Sequence, residues 1–290
     1  MKLVTFIKSG AEQVGVVIPG EKIVPIKALG LVFTTMNDLI CNSTPEDMKL
    51  LSGACQCGDT VDISDVQIIS PIPRPLQDVL CLGLNYTEHA KEAGAYSDNF
   101  TVGKEKAIYF SKRVNEAVPH GGKVSCYQEL TSKVDYEAEL AVILGKDAYN
   151  VRQEDVRNYV FGYTVLNDMT SRDLQTGHKQ WYFGKSLDGF CPIGPCIVTA
   201  DEFDYPPRLR IGSTVNGQLR QDGNTGDMIH DIDEIVSELS MGMTLKAGTI
   251  IATGTPKGVA MGMGEDHFLK PGDVINCFIE GIGDLTITMY

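Results

Sequence analysis

Two stretches hold the residues best suited to chemistry: VDYEAELAVILG, from Val134, and FGYTVLNDMTSRDLQ, ending at Gln175. Glu137 and Glu139 lie two apart in a run with strand character. A strand repeats every second residue, so both carboxylates point to one face of a sheet. Like charges side by side on a half-buried strand repel. A protonated carboxyl, a nearby Lys or Arg, or a divalent cation must compensate them. Asp168 closes the second run, where a neighbouring strand delivers a third oxygen. Three carboxylates with no cysteine or histidine between them suit a hard ion such as Mg²⁺ or Mn²⁺. The same Glu-x-Glu spacing also describes an ordinary solvated strand face.

Other groups have a chemical and a plain reading side by side. TEHAKEAG predicts a short helix starting at Thr87 and stopped by Gly94, with His89 and Glu92 three apart on one face. A carboxylate one turn from an imidazole fixes its tautomer and raises its basicity, which makes a proton-transfer pair. A surface histidine beside a surface glutamate has the same spacing. QWYFGKSLDGFCPIGP reads as a loop lining a pocket, with Lys185 either binding a carboxylate or enolate oxygen or standing as a surface lysine. TIIATGTPKGV predicts a buried strand opening into a loop. Thr253, Thr255 and backbone N–H groups there suit an anion, and the glycines equally suit a tight turn. AGAYSDNFTVGKEK reads as the hinge of a lid.

The elements that position these residues form a β-rich α+β pattern. PIPRP, at 71–75, separates an opening module of residues 1–70 from the rest of the chain, 71–290. The module predicts two strands joined at Ser9-Gly10, a third at EKIVPI, and two short helices, the second capped by Thr44 and stopped at Gly53. Beyond the boundary come a strand at DVLCLGLN and a short helix at QEDVRNYV. Thr170 or Ser171 caps another short helix carrying Arg172, Asp173 and Gln175. Asn216-Gly217 marks a hairpin, Ile232 to Ser240 reads as an amphipathic helix, and two strands close the chain around Gly281 and Gly283.

Composition narrows the function classes. The chain has 290 residues, 38 acidic against 25 basic, and a net charge of −13. No basic run breaks that surplus, which argues against nucleic acid and anionic membrane as partners. No segment approaches the ~18 unbroken apolar residues of a membrane span. MKLVTFIKSG turns polar too soon for a signal peptide, so the expected location is cytoplasmic. The eight cysteines contain no Cys-x-x-Cys pair, which speaks for reduced, mostly buried thiols over zinc. Walker, GxGxxG and Gly-x-Ser-x-Gly patterns are absent from the sequence.

GLNYTEHAKEAG, VDYEAELAVILGK, FGYTVLNDMTSRDLQ, GKSLDGFCPIGP, IATGTPKGV, and FLKPGDVI with IEGIG occur in that order over most of Val79 to Asp284. Together they resemble the fumarylacetoacetate hydrolase family. The resemblance implies a catalytic domain built as a mixed β-sandwich roll and paired as a homodimer. It implies that Glu137, Glu139 and Asp168 hold a divalent metal, usually Mg²⁺, with Mn²⁺ or Ca²⁺ in some members. By the same resemblance His89 and Glu92 form an acid/base pair on a lid, and Arg172, Gln175, Lys185 and Thr253 touch the substrate's oxygens.

Two departures from the family pattern carry information. Asn85 stands where the fumarylacetoacetate hydrolases proper have a fourth metal-binding carboxylate. The chain is therefore similar to the three-carboxylate branch, with its acylpyruvate hydrolases, oxaloacetate decarboxylases or tautomerases and hydroxymuconate-type isomerases. Arg113 stands where a Lys-Pro pair is common, which affects the loop beside Lys112 and selectivity for the substrate's far end. The resulting expectation is a metal-dependent enzyme acting on a small anionic 2-oxo acid through an enolate. Hydrolysis of a C–C bond, decarboxylation and tautomerisation differ in what leaves and where His89 moves a proton. The alternatives are a 2-hydroxyhepta-2,4-diene-1,7-dioate-type isomerase and a non-catalytic protein that binds a 2-oxo acid through a metal.

Overall fold

The strand Ala138–Leu144 is buried at every position, because both of its faces meet apolar layers. Leu140, Val142 and Leu144 enter a core with Ile211, Ile275 and Leu285 from a second sheet. Ala141 and Ile143 enter another with Leu3, Leu39 and Ile40. A strand buried on both faces shows a continuous apolar run in place of alternation. That explains how AELAVIL follows directly on acidic residues.

The computed structural model describes residues 1–97 and 106–290. Among them, an eleven-stranded sheet and a five-stranded sheet pack face to face, beside a two-stranded ribbon. This is the β-rich α+β architecture expected from the sequence. In the larger sheet Ala138–Leu144 lies between Val160–Asn167 and Ile250–Ala252, antiparallel to both. Ile250–Ala252 in turn runs parallel to Val79–Gly83. These directions bring the start of Ala138–Leu144 to the same sheet edge as the ends of the other three strands. Glu137, Glu139, Asp168, Thr253 and the helix beginning at Thr87 therefore meet there.

The opening module joins the same sheet. Lys2–Lys8 pairs with Ala11–Ile18 through the Ser9-Gly10 turn and, on its other side, with Ile193–Thr199. Its helices are Met36–Asn42 and Pro45–Ser52, the latter with the capping box at Thr44. The Asn216-Gly217 hairpin forms between Arg210–Val215 and Gln218–Asn224, both turn residues at positive φ. The amphipathic helix spans Ile232–Ser240.

Two expectations need correction. The helix at Thr87 runs through Gly94 to Tyr96 and ends at the extended Ser97. Gly94 lacks the positive φ that a C-terminal glycine stop requires. The segment around Lys185 is no simple loop, since Tyr182–Lys185 form one helical turn. The expected lid hinge falls, for residues 98–105, outside the described residues. No helix among the described residues is long and apolar enough to cross a membrane.

Candidate active site

Glu137 and Glu139 flank Ala138 at the start of the central strand, and Asp168 follows the last residue of its neighbour, Asn167. The turn is pinned from both sides: the Glu137 N–H donates to Asn167 Oδ1 at 3.0 Å, and the Asp168 N–H donates to Glu137 O at 2.9 Å. All three carboxylates are buried, and each offers an oxygen within 4.8 Å of the others. They face one another, so the solvated-face reading of Glu-x-Glu does not describe this strand.

The charges around them are arranged in pairs. Lys185 Nζ bridges Glu137 Oε2 at 2.5 Å and Asp168 Oδ2 at 2.8 Å. Arg172 donates to Glu137 Oε1 at 2.6 Å, to Asp135 Oδ2 at 2.9 Å and to Gln175 Oε1 at 3.1 Å. Lys112, fully buried, bonds Asp168 Oδ1 and donates to Phe190 O at 2.5 Å. Burial pushes the Glu137 carboxyl up, but the Lys185 and Arg172 cations outweigh it and hold this acid well below the usual carboxylate range. Lys185 is the converse: burial would lower its ammonium, and Asp168 and Glu137 hold it above its ordinary value.

Glu139 stands apart. Its hydrogen bond comes from the Gly254 N–H at 2.8 Å, and no salt bridge reaches it among the described residues. Burial, reinforced by the Asp168 and Glu137 carboxylates, pushes it far above the normal glutamate range. The four buried acids Asp135, Glu137, Glu139 and Asp168 thus meet one cation fewer, in Lys112, Arg172 and Lys185. A divalent ion fits this donor set. The oxygens are hard, they converge, and the ion would give Glu139 the counter-charge it lacks. At Glu137 and Asp168 the ion would be held by carboxylates that also bond the Lys185 ammonium.

His89 and Glu92 are drawn inward rather than left on the surface. His89 is 3% exposed, and its Nδ1 lies 3.1 Å from Glu92 Oε2. With Nδ1 committed to the carboxylate, Nε2 is the nitrogen left for proton transfer. His89 lines a small pocket with Glu137, Glu139, Arg172, Gln175 and Lys185. The opposite wall is aromatic. Phe110 and Trp181 pack edge to face at 5.3 Å, and a Cβ on Gly83 would come within 2.3 Å of the Trp181 ring.

The structure thus places six of the nine sequence-identified residues around one cavity, joins Glu92 and Asp168 to it through His89 and Lys185, and treats Thr253 differently. The Thr253 hydroxyl is fully buried and donates to Leu140 O at 2.9 Å, while Thr255 lines the pocket. Asn85 is held by backbone groups. Its amide donates to His230 O at 2.9 Å and Thr253 O at 2.8 Å, and its Oδ1 accepts the His230 N–H at 2.8 Å. It ties the strand end before the His89 helix to two loops. Arg113 pairs with Asp78 at 2.6 Å, and its N–H donates to Ser186 Oγ at 3.0 Å, anchoring the loop beside Lys112 next to Lys185.

Sequence reasoning missed Asp135 and Lys112. Asp135 accepts from the Ala260 N–H at 2.7 Å and the Met261 N–H at 3.1 Å besides holding Arg172. A signal for it existed, since Asp135, Glu137 and Glu139 alternate in DYEAE. Lys112 offered none: it reaches Asp168 from a strand 56 residues away.

Residues 78–289 match the family described as "Fumarylacetoacetate (FAA) hydrolase C-terminal". Oxaloacetate tautomerase YisK of Bacillus subtilis (strain 168) is 46% identical over 224 residues, covering 77% of this chain and 73% of the relative. Among solved structures, the fumarylacetoacetate hydrolase of psychrophilic Exiguobacterium antarcticum superposes with a TM-score of 0.84 at 36% identity, over 100% of this chain and 99% of that one. The maleylpyruvate hydrolase of Sphingobium sp. SYK-6, in complex with manganese(II) and pyruvate, gives a TM-score of 0.76 at 31% identity, over 100% and 98%.

Proposed function

The chain belongs to the fumarylacetoacetate hydrolase family, an enzyme family that includes tautomerases and hydrolases, and from that premise we propose that it enolises a small 2-oxo acid. The ion it uses is a divalent one, Mg²⁺ in the first instance, and oxaloacetate is the first substrate to test. One observation carries the reading: His89, paired with Glu92, lines a single small pocket with Glu137 and Glu139, whose buried carboxylates converge with that of Asp168.

Glu137, Glu139 and Asp168 would hold the ion. When bound it supplies positive charge that lowers the cost of the negative charge developing on the substrate's oxygens. The remaining work belongs to the protein. His89 takes a proton from C3, or returns one, through Nε2, while Glu92 holds the ring by Nδ1 and stabilises the imidazolium between the two events. Arg172 and Lys185, already fixed by acids, present cationic edges that need no rearrangement when charge develops. Gln175 orients the Arg172 guanidinium from its far side. The aromatic wall and the buried strand ends exclude water, which strengthens each of these interactions.

Support for oxaloacetate comes from the 46% identical tautomerase. A second reading, hydrolysis of a C–C bond in an acylpyruvate-type substrate, draws on the manganese- and pyruvate-bound hydrolase. Both pass through an enolate, so one assay series separates them. Enol oxaloacetate is followed by its ultraviolet absorbance, and acylpyruvates by pyruvate release, each before and after chelation and after Mg²⁺ or Mn²⁺ is restored. The proposal expects turnover of at least one substrate that disappears with chelator and returns with the ion. Chelator-insensitive turnover would overturn the metal requirement. Ion-dependent binding without turnover would identify a sensor in place of an enzyme.

A further inference from the structure

Glu92 occupies space that any side chain at position 262 would take. A Cβ built on Gly262 would lie 2.0 Å from Glu92 Cγ and 2.1 Å from its Cδ and Oε1. Gly262 belongs to the one-turn helix Ala260–Met263, which packs against the helix Thr87–Tyr96. Just before that turn, the Gly258 N–H donates to both Glu92 oxygens, at 3.1 and 3.2 Å. Glu92 therefore bridges the backbone of one segment to the His89 imidazole of another.

We infer that Gly262, with the Gly258 N–H, forms a seat that aims the Glu92 carboxylate at His89, which makes Gly262 a positioning residue for proton transfer. The functional half of this inference rests on the proton-transfer role proposed for His89 and Glu92. The geometric half stands without it.

The two glycines have different reasons to be glycine. Gly258 has φ +102°, and its Cβ would meet Arg220 O at 2.1 Å, so a side chain there collides with backbone. Gly262 has no positive φ, and the atoms in its way are the flexible end of Glu92. Alanine is favoured over glycine in a helix. Gly262→Ala should therefore leave the fold intact and evict one carboxylate, a cleaner lesion than deleting Glu92.

The test compares Gly262→Ala, Glu92→Ala and the double variant. Lys91→Ala, which removes an exposed residue paired with Glu88, serves as control. Three quantities are read: hydrogen exchange of the Gly258 amide, steady-state turnover of oxaloacetate, and Mn²⁺ affinity by calorimetry. Gly262→Ala is expected to melt no lower than wild type, to lose protection at the Gly258 amide, and to lower kcat by ~10²-fold, the scale of one general acid–base group. KM and Mn²⁺ affinity should stay unchanged. Adding it to Glu92→Ala should cost nothing further, because the shortened side chain leaves the space open.

A Gly262→Ala protein with a protected Gly258 amide and wild-type kcat would overturn the inference. So would losses that multiply in the double variant, since Gly262 would then act on something other than Glu92. If the wild type turns over no 2-oxo acid, the functional proposal fails while the exchange comparison still decides whether the seat exists.

Discussion

At the scale of single residues, the site is a set of pairings with one member left over. Glu137 has two cationic partners, Asp168 has two, and Glu139 has a backbone N–H. A buried carboxylate without a cation costs stability and is kept only where something else uses it. Glu139→Gln preserves the acceptor for Gly254 while removing the group that can ionise. The metal-free variant should be as stable as wild type or up to about 1 kcal/mol more stable in urea titrations, whereas a loss of several kcal/mol would show that the carboxylate is needed structurally. Glu137 and Glu139 were legible in the sequence because they stand two apart at a strand's start, and Asp168 because it closes an apolar run. Lys112 was not, because a lone lysine at a strand end has no local pattern, nor was the bond from the Thr253 hydroxyl to Leu140 O on the neighbouring strand.

At the scale of elements, the short segments flanking the strands of the candidate site are held by side chains more than by regular secondary structure. Asp173 shows how. It accepts from the Ser171 hydroxyl at 2.7 Å, the Leu174 N–H at 2.9 Å and the Ser132 N–H at 3.2 Å, and it also bonds the Thr131 hydroxyl. Burial pushes this carboxyl up, but those donors prevail and hold it below its ordinary value. A depressed folded value means the unfolded chain binds the proton first. The contribution is therefore complete above the ordinary aspartate value of about 3.9 and fades as pH falls from there through the folded value. Asp173→Asn should lower stability by roughly 1 kcal/mol at neutral pH, and its urea midpoint should converge with that of wild type as the solution is acidified. A gap independent of pH would contradict this. Elements with local signals, such as the Thr44 cap and the Asn216-Gly217 turn, could be read ahead. The helix end at Tyr96 could not, since Gly94 tolerates a helical backbone and packing decides where the helix stops.

At the scale of the whole molecule, the boundary at PIPRP divides the sequence but not the larger sheet. Leu3 pairs with Ile197, and Val4 and Phe6 belong to the same core as Leu285 and Ile287. Such pairings link residues nearly two hundred positions apart and leave no local pattern to read. Deleting residues 1–70 should expose the edge of Ile193–Thr199 and the apolar face beside it, giving aggregated protein by light scattering. A monodisperse, soluble remainder would show that residues 71–290 fold alone. What the large sheet accomplishes is to bring four strand ends to one edge, where charges that would repel in an isolated strand are held together. The account stands or falls on whether that edge binds an ion. Calorimetric titration of Mn²⁺ into metal-free wild type and Glu139→Gln tests it directly: one ion per chain is expected, with affinity at least ~10-fold weaker in the variant. No heat of binding in the wild type, or equal affinity in the two proteins, would contradict it.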